Sequence, residues 1–424
     1  MTPSTEPPPA PLRAPLALVA SLCAVFVISQ FYRSAIAVIA PDLSQEMNLS
    51  AETLGLLSGA FFIASAAMQI PVGILLDRYG PRRVLPAMLA FTIGGAVLFA
   101  SGEGPWQLIP GQFLIGAGCS GVFIGGLVAV SRWFPPDRFT TVGGVMIAVS
   151  NIGTLLSGTP LALAVEAVGW RMTVLGTGLL TGILALVVLV LVRDAPPGHS
   201  WFRRTPETLG QTVRGVGEVL RHPLIWPLAA IAFFTYASSF TIRGLWGGPW
   251  LADVYGLDAL GRGHVLLAMS AATLIGVAVW GPVNRALGSY RRPVTLGALG
   301  GVLSLALLAG LPSPPLWLAV LLLCSLAGFA SYYALMLAHG RTFFPDRLVG
   351  RAMTVINFAT FAGVSVMQVL SGVLVGLFPA GPDGDHPVAA YRLLFAILGA
   401  TLLFAVLVYR RVPDRPADAT GPAD

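Results

Sequence analysis

The sequence predicts an all-α membrane protein, with twelve transmembrane helices arranged as two six-helix, pseudo-symmetric bundles. Three observations lead there. Of the 424 residues 55% are hydrophobic and only 10% are charged, with a mean hydropathy of +0.79. That leaves polar breaks too short for a soluble domain. The apolar runs are continuous rather than alternating, which excludes a β-barrel. Two inter-helix loops also recur at nearly one offset, as a duplicated helical unit requires.

In chain order, residues 1–15, "MTPSTEPPPAPLRAP", form a Pro-rich tail expected to be disordered, without the cleavage-site pattern of a removable signal peptide. Six apolar segments follow at 16–40, 53–76, 84–101, 106–131, 140–166 and 172–192. Most reach the roughly 20 residues that a helix needs to cross a bilayer. The longest polar interruption, 193–223, divides the chain into an N-terminal bundle (16–192) and a C-terminal bundle (224–410). The second bundle contains segments 224–250, 263–284, 293–311, 316–339, 350–377 and 391–410, and a polar tail closes the chain at 411–424.

All 25 basic side chains are arginine, a genomic composition bias rather than a functional signal. Their placement orients the chain. Twenty fall in the tails, the central loop and the loops on one side, against Arg171, Arg262 and Arg392 on the other, where Asp42, Glu46, Glu52, Glu103, Glu166, Asp253 and Asp258 also cluster. The positive-inside rule makes the arginine-rich face, with both termini, cytoplasmic, and predicts a bacterial inner-membrane location. Two arginines belong to neither face: Arg33 and Arg243.

The repeat is legible in the loops. Gly73, Asp77 and Gly80 in "GILLDRYGPRR" have counterparts in "GPVNRALGSYRR", where Gly281 and Gly288 each lie 208 residues further on. "WFPPDRF" after the fourth segment returns as "FFPDRL" after the tenth, with Phe134 and Phe344 separated by 210 residues. Glycines at such positions let helices approach closely, and a carboxylate such as Asp77 can sit at a facing helix N-terminus and favour one packed state.

These residues resemble the major facilitator superfamily along the whole chain. "GILLDRYGPRR" is similar to that superfamily's signature in the loop after the second helix. The resemblance implies a secondary transporter in which Gly73, Asp77, Arg78, Gly80 and Arg83 act as a conformational latch. Drug antiporters of the superfamily carry an arginine in the fourth helix, where this chain has Gln112, and a Gly-Pro pair in the fifth, which "GGVMIAVSNIGTLLSG" lacks. Nitrate porters carry arginines in the second and eighth helices, and the bodies of those segments have none here. Arg33 and Arg243, 210 residues apart in equivalent helices, resemble the phosphate-gripping pair of the organophosphate:phosphate antiporters, an organic-anion branch.

The chemistry of the pair supports an anion site independently. A mid-membrane arginine costs at least about 2.5–3.5 kcal/mol to insert, and such residues mark function by default. No acidic residue lies mid-segment to neutralise either one. An anionic ligand can, and the planar guanidinium binds carboxylate or phosphate oxygens two at a time. Helical spacing and adjacency add Gln30 and Tyr32 beside Arg33, and Tyr236, Ser239 and Trp246 beside Arg243. Asn151 and Asn357 are buried amides in equivalent helices, with substrate contact and interhelical hydrogen bonding as alternative roles. His339, at a loop edge, is expected to be a bystander.

Nothing suggests an enzyme, a cofactor or a metal. There is no Gly-rich nucleotide loop, no nucleophile triad and no metal-ligand spacing, and Cys23, Cys119 and Cys324 all lie in apolar segments. The net charge of +6 is dispersed by membrane segments and indicates no nucleic-acid partner. The expected partners are a small anionic substrate and the lipid bilayer, and the expected state is a monomer. The leading reading is alternating-access transport of a small carboxylate or phosphate ester, by exchange. The alternatives are a transporter-fold receptor for an anion and an efflux pump for other small molecules.

Overall fold

Residues 13–196, 209–381 and 385–416 are described in the computed structural model. The first twelve residues of the expected N-terminal tail lie outside them, and the first helix begins at Arg13. Regular structure among the described residues is entirely helical, because a backbone in lipid must satisfy its hydrogen bonds within itself.

Among the described residues, ten helices are long and apolar enough to cross a bilayer, and Ala51–Ala67 with Gln69–Tyr79 makes an eleventh span, bent by 45° at Met68. The remaining span is the fifth. Pro136–Leu156 continues past a break at Ser157 and Gly158 into the start of Thr159–Leu191, inside which Gly169 leaves helical geometry (φ 79°, ψ 157°). That left-handed backbone suits glycine and separates span five from span six, close to the division read from hydropathy. Span seven is also interrupted. Ile225–Thr241 passes into a π-helical turn, Ile242–Trp246, and then Gly247–Tyr255. Gly244, Gly247 and Gly248 weaken the α-helix there, and π-turns of this kind cluster at functional sites.

The two halves are clamped at one end and parted at the other. At the acidic end, a Cβ added to Gly372 of span eleven would lie 2.6 Å from the Ala51 carbonyl oxygen and 3.0 Å from Gly55 Cα of span two. One added to Gly158 of span five would lie 3.1 Å from the Gly263 carbonyl oxygen of span eight, and Gly248 of span seven presses on the Ala37 carbonyl of span one. Small residues allow these backbone approaches, which hold helices together where lipid supplies no hydrophobic drive. Arg262 of span eight adds an ion pair to Asp42 of span one at 3.8 Å. On the same helix pairs towards the arginine-rich end, a Cβ on Gly73 or Gly350, or on Gly144 or Gly281, would meet nothing within 4 Å. The gap between the halves therefore opens towards the arginine-rich face.

Two segments expected to be plain polar stretches are partly ordered at that face. The central loop carries a helix, Leu209–Arg221, with Val219 fully buried and Gly215 packed on the Arg351 guanidinium of span eleven. In the C-terminal tail, residues 411–416 fold back over the loop before span nine. Asp414 accepts Ser289 Oγ at 2.7 and 2.8 Å and Arg291 N–H at 3.3 Å, and Tyr290 N–H donates to the Arg415 carbonyl at 3.1 Å. The first half repeats the device: Asp194, after span six, accepts Arg82 N–H at 2.8 Å. His339 stands in the last turn of Tyr333–Arg341, at the expected loop edge. It is fully buried, with one ring nitrogen 2.6 Å from the Tyr409 hydroxyl and the other 3.1 Å from the Pro413 carbonyl, because the docked tail covers it.

Candidate functional site: a two-arginine cavity between the halves

A cavity of about 220 Å³ lies midway along the seam, with Arg33 of span one on one wall and Arg243 of span seven on the other. Gln30, Asn151, Tyr236, Ser239 and Asn357 also line it. Seven of the nine residues expected around a substrate are thus brought together.

Tyr32 and Trp246 are not among the lining residues. Tyr32 follows Phe31 onto another face of span one, is buried, and its hydroxyl pairs with Thr181 Oγ1 of span six at 3.3 Å. Adjacent helix positions lie about 100° apart, so a neighbour of Arg33 faces elsewhere. Trp246 sits three residues after Arg243, but the wide π-turn between them shifts the face. Its indole N–H donates to Ser371 Oγ of span eleven at 2.7 Å, within the clamped region.

The arginines rest on aromatic rings. The guanidinium carbon of Arg33 lies 5.0 Å from the centroid of Phe361, and that of Arg243 lies 5.0 Å from Phe240. Phe62, fully buried on span two, bridges the two rings, 6.3 Å from Phe361 and 5.1 Å from Phe240. Three stacked or edge-on rings from spans two, seven and eleven therefore form one floor under both charges. Phe240, three residues before Arg243, was findable from helical spacing, whereas Phe361 and Phe62 approach from other helices and left no local signal.

Polar satisfaction is incomplete. Arg243 donates to Thr273 Oγ1 at 3.1 Å, but the Nε atoms of Arg33 and Arg243 are buried without hydrogen-bond partners. Neither guanidinium has a carboxylate partner among the described residues. A cation–π contact contributes about 0.5–2 kcal/mol. A hydrogen bond to a hydroxyl contributes about 1 kcal/mol. Desolvating one charge costs several kcal/mol, so rings and a threonine leave the pair undercompensated. Both halves contribute polar and aromatic lining: Ser29, Ser120, Thr154 and Phe26 from the first, and Ser239, Thr360, Tyr333 and Phe240 from the second.

The two amides have separate jobs. Asn151, which lines the cavity, donates from Nδ2 to the Ile147 carbonyl of its own helix at 2.8 Å. Asn357 links the halves: its Nδ2 donates to Gln69 Oε1 of span two at 3.1 Å, while its Oδ1 accepts the Tyr333 hydroxyl at 2.8 Å. Gln69 was missed by the sequence reading, although a lone amide in the apolar run "AAMQIPV" was visible.

The loop residues read as a latch sit at the parted end. Gly73 faces open space, Gly80 turns the chain at φ 78° beside the Asp194 carboxylate, and Arg78 lies 5.4 Å from the Tyr79 ring centroid. Arg82 Nε donates to the Leu189 carbonyl at 3.1 Å, and Arg83 is exposed. Asp77 stands in the last turn of Gln69–Tyr79.

Residues 22–367 and 249–424 match the family described as Major Facilitator Superfamily. The chain belongs to the Major Facilitator Superfamily. It is accordingly a multi-pass membrane protein of that family. Among its superfamily relatives, the hexuronate transporter of Escherichia coli K12 is 25% identical over 409 residues, covering 90% of this chain and 91% of the relative. The uncharacterized transporter YybO of Bacillus subtilis is 24% identical over 274 residues, and the alignment spans 61% of this chain and 62% of that relative. The fold is shared with a bacterial homolog of the human lysosomal transporter Spinster, solved in an inward-facing, unoccupied conformation. Its TM-score is 0.79 at 15% identity, over 94% of this chain and 97% of that one.

Proposed function

We propose that this protein carries a small hydroxylated organic anion across the cell membrane by alternating access, exchanging one anion for another. The observation that supports this most is the pair of half-buried guanidiniums, one from each half, each with its Nε buried and unpaired, set over a common aromatic floor without a carboxylate partner among the described residues. An anion bridging them would draw the halves together, and each planar fork takes two oxygens. The serines, threonines and amides that both halves contribute suit the hydroxyls of a sugar acid, and the lining aromatics Phe26, Tyr236, Phe240 and Phe361 suit its ring. The full-length relative named for hexuronate is consistent with that class. A phosphate ester satisfies the same charges.

Exchange follows from the same electrostatics. An empty site must carry two poorly solvated positive charges through the closed intermediate, whereas a bound anion neutralises them and lowers that barrier. The arginine distribution supports a cytoplasmic side for both termini and the open gap, and an inner-latch role for the loop at Gly73–Arg83. One chain supplies both arginines, so a monomer suffices.

Purified protein in vesicles preloaded with unlabelled D-glucuronate should take up labelled D-glucuronate saturably, and faster than vesicles without internal anion. Arg33→Ala and Arg243→Ala should each reduce counterflow at least tenfold. Lysine at either position should fail as well, because a point charge loses the fork. Wild-type rates in both alanine variants would refute the site. Uptake into anion-free vesicles that depends wholly on a proton gradient would refute exchange.

A further inference from the structure

We infer that Gln368 is a further substrate-contacting residue, hidden in the closed acidic end and added to the cavity when that end opens. The inference rests on the transport reading above. Gln368 is fully buried, and neither its amide oxygen nor its amide nitrogen has a protein hydrogen-bond partner. Buried amides are nearly always bonded, and an orphaned one is a standing cost that an apolar side chain of the same size would not incur.

Its position follows from register. Spans seven and eleven run in the same direction, and the bond from Trp246 Nε1 to Ser371 Oγ aligns them in depth. Gln368 precedes Ser371 by three residues, as Arg243 precedes Trp246 by three, so Gln368 lies near the level of Arg243. It also lies seven residues, two turns, beyond Phe361, on the same helix face. That face lines the cavity at Phe361. One turn away, Ser365 Oγ donates to the Gly59 carbonyl of span two at 2.9 Å, and a Cβ on Gly55 would lie 2.6 Å from the Gln368 carbonyl. Gln368 therefore sits where spans two, seven and eleven meet. Span two belongs to one half, and spans seven and eleven to the other. When the acidic end parts, span two withdraws and the amide is left on the same wall as Arg243. There its N–H groups can donate to an anion oxygen and its carbonyl can accept a substrate hydroxyl. The amide is thus unsatisfied only in the state in which substrate cannot reach it, which biases the carrier towards opening.

The test uses full-length Gln368→Met and Gln368→Asn in vesicles with D-glucuronate as the probe. Protein of each orientation is read separately by inactivating the other with a membrane-impermeant thiol reagent at an engineered cysteine. For substrate arriving at the acidic end, Gln368→Met should raise the half-saturating concentration at least fivefold. From the arginine-rich end it should change less than twofold, and Gln368→Asn should be intermediate. The melting temperature of Gln368→Met should be equal or higher, since the orphaned amide is gone. An unchanged acidic-end value, or an equal change at both ends, would overturn the inference while wild-type counterflow leaves the transport reading standing. Wild-type vesicles without counterflow would overturn both.

Discussion

Gly372→Ala should drive the acidic end apart. The added methyl carbon would stand 2.6 Å from the Ala51 carbonyl oxygen, 3.0 Å from Gly55 Cα and 3.1 Å from Glu52 Cα. All three are atoms of span two, in the opposite half. Ordinary carbon contacts need about 3.5–4.0 Å, so spans two and eleven must separate by roughly 1 Å. Overpacking of this kind costs about 1–3 kcal/mol. The cost falls only on the state in which these backbones touch, and the gain in helix propensity from glycine to alanine is shared by both states. The equilibrium should therefore shift roughly 5- to 150-fold towards the acidic-end-open form.

A single cysteine at Leu54 reports the shift. Leu54 is buried in the clamped part of span two, and the native cysteines to be removed are Cys23, Cys119 and Cys324. Labelling by an impermeant maleimide from the acidic side should accelerate by the same factor in Gly372→Ala. Gly94→Ala and Gly176→Ala, exposed positions of spans three and six whose methyl groups meet open space away from the seam, are the controls and should label at the parental rate. Parental labelling of Gly372→Ala, or equal acceleration in the controls, would refute the description of one clamped and one parted end.

Other perturbations test the same frame. Asp42→Asn removes the cross-half partner of Arg262 and should speed Leu54→Cys labelling by about 2- to 10-fold, less than Gly372→Ala because Asp42 is partly solvated. The swap of Asp42→Arg with Arg262→Asp should return the rate towards the parental value. At the other end, burial works against the charge of Asp414. The Ser289 hydroxyl, the Arg291 N–H and the Arg291 guanidinium outweigh it and hold the carboxyl below its ordinary range. A carboxyl depressed on docking stabilises the docked tail above the free-chain value near 3.8, and that contribution is lost as pH falls through the docked value. Hydrogen exchange at Tyr290 N–H should show docking unchanged between about pH 5 and 8, weaker below about pH 4, and weaker at every pH in Asp414→Asn.

How much of this was legible in sequence depended on whether the signal was local. Apolar run length fixed the spans because lipid leaves no other way to satisfy the backbone, and the break at Gly169 falls near the predicted gap between segments five and six. The loop repeats exposed the duplication. A repeat of the pinning aspartates also exists, since Asp194 and Asp414 each tie down the loop after the second span of their half. It was hidden because the surrounding residues, "VRDAPP" and "RRVPDRP", share little beyond charge and proline. Arg33 and Arg243 were conspicuous because charge in an apolar run is expensive. Tyr32 and Trp246 were misplaced because adjacency and α-helical spacing do not determine which face a residue takes, least of all across a π-turn. Phe62 and Phe361 look like any core phenylalanine until three helices bring them under the charges.

The positions of these groups connect the gate to the site. Phe62 belongs to span two, the helix whose outer half is clamped to span eleven at Gly55, Gly59 and Gly372, and its ring lies between the rings beneath the two arginines. Any motion that withdraws span two from the clamp must also draw Phe62 out from between Phe240 and Phe361. The aromatic floor under both guanidiniums is then broken in the same step that opens the acidic end. The arginines lose part of what little protein compensation they have at the moment when anion from that side can replace it. On the far side of the bend, span two still reaches span eleven through Gln69 and Asn357 at 3.1 Å, so one helix carries cross-half contacts both before and after Met68. A helix bent by 45° at Met68, between Phe62 and Gln69, can move these two contacts separately. A hinge at that bend would let one end release without forcing the other, and stiffening it should couple the two ends.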